Sequence, residues 1–187
     1  GITNAQGVSA DLGGASLELT RIEDGVIQRG VTLPLGPFSL ADPAGFNADR
    51  LRQVIGKRLK AAPDFRTDTL YAVGGAWRSM AQVHMSHTRY PLKVVHQYEL
   101  DAASVRDITR LIARSSKASL EAWPGLSKKR AETLPYAALV LEGLIDRLGL
   151  ERIILSAWGV REGLLYEAMD AEAKATDPLL AGCSSLG

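Results

Sequence analysis

Asp11-Leu12-Gly13-Gly14-Ala15-Ser16-Leu17-Glu18 sets a carboxylate at a strand end, then a glycine turn, a hydroxyl and a second acid. This arrangement predicts a phosphate loop. Gly13 and Gly14 let the backbone turn tightly and present successive amide N–H groups to an anion without a Cβ in the way, and Ser16 adds a hydroxyl donor. A bare Asp11 carboxylate beside bound phosphate is unfavourable unless it holds Mg²⁺, directly or through water, or orients an attacking water. Asp11 is therefore the candidate metal ligand. Glu18 shares a strand face with Ser16, because residues two apart point the same way. The same eight residues also suit an ordinary hairpin with Gly-Gly at its turn.

Two further stretches repeat the layout of strand, glycine turn and helix start. In the first, Leu70 to Val73 leads into Gly74-Gly75-Ala76-Trp77-Arg78. A helix N-terminus there offers free N–H groups and the positive end of the helix dipole, and Arg78 adds a guanidinium suited to bidentate phosphate contact. The second is Ser156-Ala157-Trp158-Gly159-Val160-Arg161-Glu162-Gly163. Ligands of open sheets gather at the carboxyl ends of strands, where all three loops fall. Other chemistry is poorly supplied. His84 and His87 are spaced for one helix face but lack a third ligand, no Gly-x-Ser-x-Gly elbow occurs, and Trp77, Trp123 and Trp158 read as packing residues.

The elements that must carry these loops follow from periodicity. Strands are predicted around 8–11, 16–20 and 26–35, a meander whose Asp24-Gly25 is a tight-turn signal. Pro34, Pro37 and Pro43 interrupt the pattern. Helices are predicted over 48–60 after an Asn47 cap, 76–85, 102–114, 128–148 with Gly149 as its stop, and 161–169, with strands at 69–73 and 152–155. Residues 91–100 read as extended. The order gives an α/β fold, a mixed sheet with a three-strand antiparallel meander and helices on its faces. No internal repeat or low-complexity segment suggests a second folded unit within 1–170, and 171–187 read as a small, polar C-terminal tail.

At 187 residues and 46% hydrophobic content, the chain suits one compact domain rather than disorder. No apolar run reaches the roughly 18 residues of a membrane helix. With a single Cys183, a disulfide or cysteine-zinc framework is excluded and a cytoplasmic location is expected. The net charge of +1 hides a division. Residues 50–130 hold 16 Lys and Arg against 6 Asp and Glu, a balance of +10, and the flanks hold 6 against 15, a balance of −9. Arg106, Arg110, Arg114 and Lys117 would form one helix stripe, either a surface that concentrates polyanions or a solvated face.

Four segments in order, Asp11 to Leu19, Thr32 to Gly36, Ala72 to Gly75, and Ser156 to Glu167 ending Arg-Glu-Gly-Leu-Leu-Tyr-Glu, resemble the Ppx/GppA family of exopolyphosphatases and guanosine pentaphosphate phosphohydrolases. The resemblance covers about residues 1–170 and implies a ribonuclease-H-like half of the actin-like ATPase/sugar kinase/Hsp70 fold, the second of two domains around a phosphate cleft. It places Asp11, Gly13, Gly14 and Ser16 on the second phosphate loop, Glu18 on the acid after it, and Gly74 and Gly75 on the later glycine loop. Ala15 stands where the family usually has a third glycine. The implied reaction is Mg²⁺-assisted attack of water on a terminal phosphoryl group of inorganic polyphosphate or a guanosine polyphosphate, in the setting of the bacterial stringent response.

The family's water-activating glutamate belongs to a first domain, and none of the ten residues before Asp11 is an acid. A missing N-terminal domain and an inactive isolated chain are therefore expected; a second copy of the chain, as a homodimer, is one candidate partner, and neither membrane nor nucleic acid is expected as one. The rival expectations are a regulatory domain that binds polyphosphate or alarmone without turnover, and an ATP-dependent kinase half of the same superfamily.

Overall fold

A computed structural model describes residues 4–170 and Lys174, so the C-terminal tail, with Cys183, lies otherwise outside the described residues. The chain divides after Ala157 into two units.

In the first unit, strands β1 (Gly7–Leu12), β2 (Leu17–Glu23) and β3 (Val26–Leu33) form the expected meander. Asp24 and Gly25 both take positive φ, 51° and 76°, the paired left-handed conformation of a tight two-residue hairpin turn. β4 (Thr69–Val73) and β6 (Arg152–Leu155) add parallel strands, and the short β5 (Glu99–Asp101) closes the far edge antiparallel. The six-stranded order is β3-β2-β1-β4-β6-β5. Registers Leu12↔Leu17, Ala10↔Leu19, Val8↔Leu70 and Ala72↔Leu155 put these side chains on one face, where every one is almost fully buried.

That face packs beneath helices. α1 (Pro37–Leu40) is a single turn that the proline pattern alone concealed; Pro37 suits a first helical position, where no N–H partner is needed. α2 (Ala48–Leu59) starts at Asn47, whose side chain accepts the Arg50 N–H. α3 (Gly75–His87), α4 (Ala102–Arg114) and the five-residue α5 (Lys117–Glu121) follow. α6 (Lys128–Leu148) is the centre of the helical layer, touching α1 to α5. It runs through Pro135, which costs a helix interior about 3 kcal/mol, because its ten buried side chains compensate. Gly143 permits the close passage of α2: a Cβ there would stand 2.8 Å from Ile55 Cγ2. Among the described residues, no helix is long and apolar enough to cross a membrane.

In the second unit, α7 (Val160–Ala168) begins one residue before the expected 161, and the Glu162 carboxylate reaches back to accept the Gly159 N–H at 2.8 Å. This satisfies one of the donors that a helix start leaves open.

Trp77 ties the helical layer together. It is fully buried, and its indole N–H donates to the Ala137 carbonyl on α6 at 2.9 Å. Trp77→Ala leaves a large cavity and an unpaired carbonyl, so a loss of about 3–5 kcal/mol is expected in denaturant unfolding. A loss below about 1 kcal/mol would contradict this role.

Candidate phosphate-binding site

Asp11 is the penultimate residue of β1 and lies directly opposite Glu18 on β2, so the two carboxylates share the less buried face of the sheet. The Asp11 carboxyl is pushed above its ordinary value, chiefly by burial and further by the Glu18 charge, while Arg78 pulls it partly back. Neighbouring desolvated acids hold a proton or attract a cation. Ser16 Oγ donates to Glu18 Oε1 at 2.5 Å, so in this structure its hydroxyl serves the acid rather than an open anion site.

The loop between β1 and β2 is fixed from outside. Its Gly14 and Ala15 carbonyls accept the Phe38 and Gly36 N–H groups at 2.9 and 3.0 Å, and Ser39 Oγ donates to Ala15 O at 2.6 Å. Gly36 abuts the Gly14–Ala15 peptide so closely that any Cβ would overlap it. Gly13 spends its N–H on the turn, donating to Ser16 O at 2.9 Å. The amides of Gly14 and Ala15 have no acceptor among the described residues and remain for an anion. None of Gly13, Gly14 and Ala15 needs positive φ, so Ala15 fits without strain in place of a third glycine. A Cβ on Gly14 would meet the ring of the exposed Phe38 at 2.9 Å, so a side chain there would have to push that ring aside.

Gly74 brings the second loop to the first. With φ at 117° it passes Leu12 so closely that a Cβ would lie 2.7 Å from the Leu12 carbonyl oxygen, which places the α3 N-terminus beside the end of β1. Arg78, one turn into α3, donates from Nη1 to Ala157 O at 2.9 Å and lies near enough to Asp11 to act on its charge. The third loop begins alongside, with Ser156 N–H donating to Ala72 O at 2.8 Å. In the first unit, the structure therefore gathers Asp11, Gly13, Gly14, Ser16, Glu18, Gly74, Gly75 and Arg78 at the carboxyl ends of β1 and β4.

One residue at this edge escaped the sequence. Arg130, in the first turn of α6, lays its guanidinium in the space a Cβ on Gly75 would take, over the α3 N-terminus. Among the described residues its side chain makes no hydrogen bond or ion pair, nor do those of Lys128 and Lys129. Cations at the start of a helix oppose its dipole by about 0.3–1 kcal/mol each, a penalty that an anion between the two helix starts would remove. Fifty-five positions separate Arg130 from Gly75, and no local pattern links them.

The expected basic stripe is largely neutralised. Arg106 pairs with Asp146, Arg110 with Asp107 and Lys117 with Glu132, which makes it a solvated helix face; Arg114 alone lacks such a partner among the described residues. His84 Nδ1 lies 2.8 Å from the Tyr98 hydroxyl, and no group of three metal-ligating side chains occurs among the described residues.

A mixed sheet of this order with flanking helices is the layout of a ribonuclease-H-like half of the actin-like fold. The Ppx/GppA phosphatase family model matches residues 2–172, and the chain belongs to that family. It is 29% identical over 187 residues to exopolyphosphatase 1 of Mycobacterium leprae, covering 90% of this chain and 53% of the relative, and 26% identical over 191 residues to exopolyphosphatase 1 of Mycobacterium tuberculosis, covering 90% and 52%. The chain thus spans about half the length of these curated relatives. Among solved structures, the Ppx/GppA phosphatase of Aquifex aeolicus superposes with a TM-score of 0.75 at 20% identity, covering 89% of this chain and 58% of that one. An exopolyphosphatase from Cytophaga hutchinsonii superposes at 0.74 and 19%, covering 87% and 56%.

Because folding raises the Asp11 pKa above the ordinary carboxyl value, the folded chain holds this proton more tightly than the unfolded chain does. Stability contributed by the group is present below the unfolded value and is lost as pH rises through the folded one. Asp11→Asn removes that loss, so the variant should melt above the parent at neutral pH, with the difference vanishing by about pH 3. A variant that melts lower at neutral pH would contradict the assignment.

Proposed function

We propose that this chain is the second half of a phosphoric anhydride hydrolase that releases terminal orthophosphate from inorganic polyphosphate or a guanosine polyphosphate. The carrying observation is the meeting, at one sheet edge, of uncommitted loop amides, a helix N-terminus, the unpaired Arg130 and the facing carboxylates Asp11 and Glu18.

In this reading the terminal phosphates lie between the Gly13–Ser16 loop and the Gly74–Gly75 loop. The Gly14 and Ala15 amides and the α3 N-terminus bind their oxygens, and Arg78 and Arg130 neutralise their charge. Ser16 either keeps Glu18 oriented or turns to a phosphate oxygen. Asp11 and Glu18 are hard oxygen donors side by side. They suit Mg²⁺, which is usually held by one or two carboxylates and keeps its other positions for water and phosphate oxygens. Bound there, the ion would supply charge neutralisation on the phosphoryl oxygens. The Asp11 carboxylate would accept a hydrogen bond from the attacking water and fix its line of approach, so catalysis is mostly positioning and electrostatics. The water-activating glutamate is proposed to lie outside these 187 residues, on the part of the protein that the curated relatives have in addition. A cytoplasmic enzyme acting on soluble polyanions, with two copies associated, completes the proposal.

The test is phosphate release from polyphosphate and from guanosine pentaphosphate by the full-length protein. Asp11→Asn should lower kcat by about two to three orders of magnitude, while polyphosphate binding persists. Unchanged turnover would overturn the proposal. The 187-residue chain alone should release phosphate far more slowly than the full-length protein, and equal rates would show that the water-activating group lies within it. Arg130→Gln should weaken polyphosphate binding about tenfold, as loss of a charge-assisted contact to phosphate does.

A further inference from the structure

The far end of the same hairpin carries an arginine cluster that the glycine loops do not use. Arg21 on β2 lies opposite Val8, so four residue steps of β1, about 13 Å, separate its register position from Leu12. Between β2 and β3 the pairing passes from Thr20↔Gly30 to Ile22↔Ile27, which sets Gln28 and Arg29 against Arg21 alone. Two residues opposing one is a β-bulge on β3, a device that re-aims side chains and bends its strand.

The bulge directs Arg29 over the ring of Phe65, with Cζ 5.3 Å from the centroid, in the loop before β4. Arg29 Nη2 donates to Asp64 O at 3.4 Å, and Arg21 Nη1 donates to Arg66 O at 2.8 Å. Backbone carbonyls thus hold two guanidiniums in place, and Phe65, almost fully buried, gives one of them a rigid floor. Arg21, Arg29 and Arg66 line one cavity of about 460 Å³ together with Glu23 and Asp64. The acids are weak partners: Arg21–Glu23 is 3.2 Å and Arg66–Asp64 3.9 Å, both between residues two apart with exposed carboxylates. Arg29 has no carboxylate partner among the described residues. Three fixed or half-fixed guanidiniums against two exposed acids leave an excess positive charge and free forked donors, which match a phosphate group.

We propose that this cavity is a second anion site, separate from the glycine loops, that binds a phosphate group carried by orthophosphate or by a nucleotide. Its volume exceeds what orthophosphate fills and lies within the roughly 300–1,000 Å³ range of small-molecule sites.

The experiment titrates the 187-residue chain with sodium phosphate and, separately, with adenosine diphosphate, following the arginine Nε–Hε resonances by NMR. The Arg21 and Arg29 resonances should shift with dissociation constants of about 1 mM or below. These shifts should persist in the Arg78→Gln/Arg130→Gln double variant and weaken at least tenfold in Arg66→Gln, whose exposed loop position carries little folding risk. Arg29→Lys keeps a cation over Phe65 but loses the fork, so it should bind weakly while melting close to the parent. Tighter binding of adenosine diphosphate identifies a nucleotide site, and equal affinities identify a site for the phosphate group alone; both support the proposal. No shift of either resonance up to about 10 mM, or shifts abolished by the double variant and kept in Arg66→Gln, would overturn it. The outcome is independent of the proposed hydrolase activity.

Discussion

Two backbone approaches that no side chain could survive hold the candidate site's edge together: Gly74 against the Leu12 carbonyl and Gly36 against the Gly14–Ala15 peptide. The first brings the start of α3 beside the end of β1, and the second pins the turn that follows β1 to the segment after β3. Once both contacts form, the positions of Asp11, Glu18, Arg78 and the loop amides are consequences of strand register and helix phase. The core serves the same end, since the residues of β1, β2 and β4 that alternate with the site residues are almost fully buried. Slipping β2 by one residue would exchange Glu18 for Leu17 or Leu19 at the site and send a charge into the core, so the apolar pattern fixes the chemistry as firmly as the fold.

The site retains stored electrostatic cost. Burial, and after it the facing Glu18 charge, raise the Asp11 pKa, and three cations crowd the positive end of α6 without carboxylate partners among the described residues. Each arrangement is unfavourable alone, and the two have opposite sign. A ligand that brings both cation and polyanion relieves them together, a pattern met where stability is exchanged for function. The basic residues of α4 and α5 differ in this respect: all but Arg114 have carboxylates within reach, so their charge is already spent within the chain.

Much of this was legible in the sequence because local rules and global packing agree. The meander announced itself through alternation and Asp24-Gly25, and α4 and α6 occupy the residues that periodicity gave them. Boundaries failed where a residue does two jobs. Pro37 interrupts β periodicity yet opens α1, and of residues 91–100, which read as extended, only Glu99 and Leu100 pair, as the start of β5 (Glu99–Asp101). The glycine loops were visible as short motifs, whereas the contact of Gly14 with the Phe38 ring was not, since Phe38 lies on α1. Arg130 was hidden for the same reason. The glycine it overlies, Gly75, opens another helix, and chain separation erases a contact made only by tertiary packing.

The bulge at Gln28–Arg29 has a further consequence for how the molecule behaves among copies of itself. β3 is an outer strand of the sheet and exposes Val26 and Ile27, a combination that invites another chain to add a strand. The extra residue breaks the regular spacing of outward N–H and C=O groups in mid-strand, and an arginine sits at the break. An incoming strand would find no unbroken row to pair with. The irregularity that gathers the arginines therefore also keeps the free edge of the sheet from acting as a template for aggregation.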